Sequence, residues 1–128
     1  MSPDHAMRQV RVLGDGCAAL SLAARADELA GHRLTLVRPQ GAPPETDHVW
    51  GFWDGPNLAA ASRLARKRWQ SWSIVTGRGK AVLRSQERPY TALHRLDWTA
   101  HCRAAASRAG VATLDGDEAV TATDLVFD

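Results

Sequence analysis

The chain has 128 residues, 45% of them hydrophobic and 23% charged, with a formal net charge of +2. Those values describe an ordinary globular chain, long enough to bury one core, and so small a positive balance makes no case for a nucleic-acid partner. No apolar run approaches the ~20 residues of a membrane-spanning helix, and the polar start "MSPDHAMRQ" lacks the apolar centre of a secretory leader.

Residues 1–9 read as a polar tail and 10–128 as one domain. "VRVL" is a short β run that Gly14 ends. From Cys17 to Leu29 the chain is rich in Ala and Leu and free of Pro and Gly, which predicts a helix. Cys17, set among alanines, reads as a small buried apolar residue. Gly31 stands where a left-handed turn is wanted, and "RLTLV" supplies a second strand. Strand, glycine-rich turn, helix, glycine, strand: the order is that of a βαβ unit. An irregular stretch, "RPQGAPPETD", then leads into "HVWGFWD", which packs three aromatic rings into seven residues. "NLAAASRLARKRWQ" reads as a partly helical arm whose basic residues form a solvated face. "WSIVTGRGKAVLR" predicts a hairpin with a glycine-supplied turn. "LDWTAHCRAAASRAG" predicts a helix with Asp97 as N-cap and Gly110 closing it, and "VATL" and "TDLVFD" two more strands. The expected fold class is α/β: a partial Rossmann-like FAD/NAD(P)-binding fold. Its mostly parallel sheet is shared by "VRVL", "LTLV" and "LVFD", with a small antiparallel hairpin beside it.

"GDGCAA" places Gly14, Gly16 and Ala19 in a G-x-G-x-x-A spacing between the first strand and the first helix. Gly14 suits a tight turn, Gly16 leaves room for a pyrophosphate, and Ala19 lets the helix pack close to the strand. Backbone N–H groups at the helix start would face the phosphates. The predicted cofactor contacts are therefore Gly14, Asp15, Gly16, Cys17, Ala18 and Ala19. An acidic residue at the end of the second strand ordinarily binds the ribose hydroxyls, and Arg38 stands there instead. It would face a 2′-phosphate, indicating NADP, or be a solvated strand end.

With these residues in view, the chain resembles the N-terminal part of bacterial lycopene β-cyclases. The likeness lies in the G-x-G-C-A-x-L-S-L-A run and the H-x-W-x-F-W-D motif after the second strand. It extends to Trp69 and Trp72, to the "YTALHRLDWTAHC" stretch, and to "GVATLDG" leading into "LVFD". The resemblance implies FAD, used reduced, with NAD(P)H as a candidate reductant, and a role in carotenoid synthesis next to a membrane. It implies that Gly14, Gly16 and Ala19 line the FAD pyrophosphate. His48, Trp50, Phe52, Trp53 and Asp54 then belong to an aromatic motif beside the flavin or the lycopene pocket. Flat rings suit an extended polyene and their faces stabilise a cation, whereas core aromatics at a sheet edge would look the same in sequence. The family's catalytic carboxylate motif has no counterpart here, so the catalytic residues are unassigned. Two readings stand beside this one: an NAD(P)- or FAD-linked oxidoreductase domain, and an inactive nucleotide-binding remnant.

Cys17 and Cys102 form no C-x-x-C pair, which points to a reducing compartment and a cytoplasmic protein, with contact at the inner membrane face left open. His101 and Cys102 are adjacent on a predicted helix and point in different directions, so no metal site is expected.

Overall fold

A computed structural model describes residues 6–116 and 125–127. In chain order the elements are β1 (Arg8–Leu13), α1 (Cys17–Ala23), β2 (His32–Arg38), β3 (Val49–Trp53), α2 (Ala59–Arg63) and β4 (Lys67–Trp69). There follow β5 (Ser71–Thr76), β6 (Gly79–Arg84), β7 (Tyr90–His94), α3 (Arg95–Arg108), β8 (Ala112–Asp115) and β9 (Leu125–Phe127). They fall into two compact units. The first takes the chain up to Glu45 and again from Thr99, and the second is Thr46–Trp98.

The first unit is built on a parallel sheet of order β8-β2-β1-β9. Alternation along β1 and β2 puts Val10 opposite Leu34 and Val12 opposite Leu36, and all four are buried. Burying each such side chain contributes roughly 1.5–3 kcal/mol, enough to set the register, since a slip of one residue would expose all four. Leu20 and Ala23 of α1 are buried as well. The parallel pairing of "VRVL", "LTLV" and "LVFD" is as the sequence predicts.

The first helix is shorter than its composition predicts. It ends at Ala23, and a 3-10 turn follows over Ala26–Glu28, held by Glu28 N–H to Arg25 C=O and Leu29 N–H to Ala26 C=O. Packing overrides propensity here. Ala23, the last residue of α1, and Ala26, the first of the 3-10 turn, are both buried, so the chain stays packed where the helix ends. Gly31, at φ +75°, then turns the chain into β2.

The second unit carries a three-stranded antiparallel sheet of order β3-β7-β4 and a separate β5–β6 hairpin. Antiparallel pairing therefore accounts for five strands, far more than one hairpin. Strand β7 is not legible in the sequence because "YTALH" abuts the helix without a break. Thr91, Ala92 and Leu93, at its centre, are buried. The hairpin turns through Gly77 and Arg78, and its residues are exposed apart from half-buried Trp72.

Helix α3 crosses from the second unit's residues into the first's between Trp98 and Thr99. Thr99, Cys102 and Ala106 form its buried stripe. Its end is a Schellman cap: Val111 N–H reaches Ala106 C=O, Gly110 N–H reaches Ser107 C=O, and Gly110 has φ +78°. Its start departs from expectation. Asp97 lies inside the first turn, and the Leu96 N–H is taken by Asp47 Oδ1 at 3.2 Å.

Candidate functional site

The glycine loop leaves the C-terminal end of β1. Gly14 has φ +120°, a conformation side chains resist, and its N–H donates to Val37 C=O at 2.8 Å, tying the loop to β2. Gly16 differs. Its φ is −77°, which any residue adopts, and a Cβ built there meets nothing within 4 Å. The fold needs glycine at 14 and not at 16. The chain runs outward from β1 to β2 and later returns to pair β9 on the other side of β1, so the loop sits at the reversal of strand order, where open α/β sheets bind ligands.

Around the loop, Ala18 is exposed and Ala19 half-buried. Cys17 is exposed, contrary to the buried role read from its alanine neighbours, as the first residue of α1 at the open end of the glycine loop. The buried thiol is Cys102, whose pKa burial pushes up to about 11, so it stays protonated and inert. Arg38 ends β2 half-exposed, with Nε 3.4 Å from Asp15 Oδ2. Beside it a cleft of about 340 Å³ is lined by Arg38, Gln40, Gly41, Ala42, Asp115 and others at the ends of β2 and β8.

The aromatic motif is strand β3, and strand alternation divides it. Trp50 and Phe52 point to one face, Trp53 to the other. The sequence reading grouped these three rings; the structure assembles a different group. Trp53, Tyr90 and Trp69 are register partners across β3, β7 and β4, with ring centroids 5.3 Å apart for Trp53–Tyr90 and 6.1 Å for Trp69–Tyr90. Trp72 meets Trp53 edge-on at 6.1 Å. Trp53 is 53% exposed and Trp69 42%, so the row is a surface shelf rather than a core. Gly51 makes it possible: a Cβ there would overlap the Tyr90 hydroxyl, so the ring lies across the bare backbone. The signal for Tyr90 was the strand pairing, which a single sequence does not print.

The polar members of the motif are tied into local structure. His48 is exposed, its ring edge-on to Trp50, and its backbone C=O accepts from Arg95 N–H. Asp54 accepts from Ser62 Oγ and Gly55 N–H, both at 2.7 Å, and these bonds hold its carboxyl below the usual range. Asp47 pairs with His94 Nδ1 at 2.8 Å, which together with the Leu96 N–H lowers its pKa too. Both carboxylates are ionised at neutral pH. Among the described residues no group of three or more His, Cys, Asp or Glu is placed to hold a metal, and no helix is long and apolar enough to cross a membrane.

Several solved flavoproteins share this fold. 2-Methyl-3-hydroxypyridine-5-carboxylic acid oxygenase superposes with a TM-score of 0.63 at 18% identity, over 91% of this chain and 33% of its own. CtdE, solved with FAD and a substrate, gives 0.58 at 15% identity over 85% and 30%. A flavoprotein/dehydrogenase from Cytophaga hutchinsonii gives 0.51 at 17% identity over 84% and 30%. The chain thus has the fold of a part of FAD-dependent flavoproteins and spans about a third of their length. No protein-family model and no curated protein sequence matches it.

Proposed function

We propose that the chain is the nucleotide-binding part of a lycopene-cyclase-like flavoprotein, holding the ADP half of FAD over the Gly14–Gly16 loop. Gly16 carries the reading. It sits at the strand-order reversal with open space where its Cβ would be, so its lack of a side chain serves something other than the fold. Gly14, Asp15, Gly16, Cys17, Ala18 and Ala19 would surround the pyrophosphate, and Arg38 the ribose. Reduced FAD, once bound, supplies an electron-rich ring, with NAD(P)H as its source of electrons.

The Trp53–Tyr90–Trp69 row suits the carotenoid side of this proposal. Its exposed ring faces offer flat apolar contact and favour a nearby positive charge. The hairpin would rest on the membrane from which such a substrate is drawn. It exposes Ile74, Val75 and Val82 beside Arg78, Lys80 and Arg84. Protonating a polyene needs a carboxyl kept neutral, and Asp47 and Asp54 are both held ionised. These 128 residues alone therefore bind without cyclising lycopene. A flavin-linked oxidoreductase is the second reading, favoured by the oxygenase and dehydrogenase among the solved neighbours.

Titrating FAD with the purified chain should quench flavin fluorescence saturably; a linear, non-saturating response would end the proposal. Lycopene-producing cells expressing the chain should accumulate no β-carotene above an empty-vector control. NADPH-dependent oxygen consumption by the FAD-loaded chain would favour the oxidoreductase instead.

A further inference from the structure

The corner where β2 ends has an inverted charge. Dinucleotide sites of this fold read the adenosine ribose with an acid at the end of the second strand, since a carboxylate accepts from both vicinal hydroxyls. Arg38 occupies that place. Its guanidinium does not stand alone: Nε lies 3.4 Å from Asp15 Oδ2, and Asp115, its register partner on β8, lines the same cleft. One carboxylate is thus within ion-pair distance of the guanidinium and a second stands beside Arg38 in the sheet register, two acids to one base among the described residues of this corner. A 2′-phosphate would bring about two more negative charges to it. Arg38 is thereby a poor reader of NADP, and the cleft of about 340 Å³ beside it is left to an unphosphorylated adenosine.

Asp15 is less exposed than its partner, 23% against 49%. The ion pair engages Oδ2 and leaves Oδ1 to accept from a hydroxyl. It also explains how an acid is tolerated between Gly14 and Gly16, where an unpaired carboxylate would repel a pyrophosphate. We propose that Asp15 is the ribose-binding carboxylate of this protein, relocated from the end of β2 into the glycine loop, and that Arg38 is the residue that positions it. The assignment rests on the nucleotide reading of the loop.

The test compares ADP, 2′-deoxy-ADP and 2′,5′-ADP by calorimetry, with FAD titrated in parallel. The unaltered chain should bind ADP about tenfold more tightly than 2′-deoxy-ADP, the worth of a hydrogen bond to a charged group, and 2′,5′-ADP more weakly than ADP. Asp15→Ala should bring ADP and 2′-deoxy-ADP within about twofold of each other, and Arg38→Gln should shrink the preference several-fold. Both substituted side chains reach solvent, and unchanged far-ultraviolet dichroism would confirm that the variants fold. A preference for ADP that survives Asp15→Ala overturns the assignment. So does tighter binding of 2′,5′-ADP, which would make Arg38 a phosphate reader. If the unaltered chain binds neither FAD nor ADP, the nucleotide reading itself falls and takes the assignment with it.

Discussion

The two units solve the same problem with different materials. In the first, ten apolar residues are buried among the described residues, eight of them along β1, α1, its following turn and β2. In the second, only Thr91, Ala92 and Leu93 are buried among the described residues, although it holds all five Trp, the single Tyr and nine Lys or Arg against four Asp or Glu. Its large rings lie in a row across the sheet, partly in water, and its polar groups form short local bonds. The first unit is a core with a loop attached. The second is a surface with just enough core to hold it. That exposure is what supports our proposal that substrate recognition lies in the second unit.

Several measurements would break or sharpen that contrast. Leu36→Ala, in the first unit's core, should cost about 2–5 kcal/mol in denaturant unfolding, because the cavity it leaves is walled by the sheet. A cost below about 1 kcal/mol would mean that the parallel sheet is not the main store of stability. Gly16→Val should weaken FAD binding by roughly 100-fold, worth about 2.7 kcal/mol, while leaving the unfolding midpoint unchanged. A shifted midpoint would show that Gly16 serves the fold after all. In the second unit, Gly51→Val should destabilise by about 1–3 kcal/mol, since the new side chain must displace Tyr90. A double variant, Gly51→Val with Tyr90→Ala, should lose less than the two single costs added together.

Acid offers a probe of the second unit's polar bonds. Asp47 has a folded pKa below its unfolded one, so its contribution is present above about pH 4 and is lost as pH falls through the folded value. Asp54 behaves in the same sense. Thermal midpoints between pH 2 and 6, values chosen at about two units on either side of an unfolded carboxylate, should fall less steeply with acid in Asp47→Asn than in the unaltered chain. Equal slopes would remove Asp47 from the account. The smallest effect belongs to the hairpin: Ile74→Ser, at a residue 52% exposed, should change stability by less than about 0.5 kcal/mol. A larger loss would mean that the hairpin is covered by another surface in solution.

What could be read from the sequence followed from local chemistry. Gly14, Gly31 and Gly110 take the positive φ values that their positions suggested, and the βαβ order of the first unit stands in the residues themselves. Strand β7 was hidden because its partners, β3 and β4, are separated from it by up to about forty residues of chain, and pairing at that range leaves no periodic trace in either strand. The helix cap failed for the same reason. Asp97 has the right type and spacing, but a carboxylate from Asp47 arrives first. The aromatic motif is legible in the sequence but its division is not, since five of its seven residues form a strand whose side chains face two ways.

The bonds near Asp47 have a consequence for how the chain is threaded. Thr46 C=O accepts from Arg95 Nη1, Asp47 bridges His94 and Leu96, and His48 C=O accepts from Arg95 N–H. The first three residues of the second unit are thereby stapled to His94, Arg95 and Leu96, near its last, so the polypeptide leaves the first unit and comes back at nearly one point. A segment whose ends meet is a cassette. It can be lengthened, exchanged for another loop or excised with a short bridge while the β1–α1–β2 scaffold keeps its own contacts, so a chain organised this way can change one unit without redesigning the other.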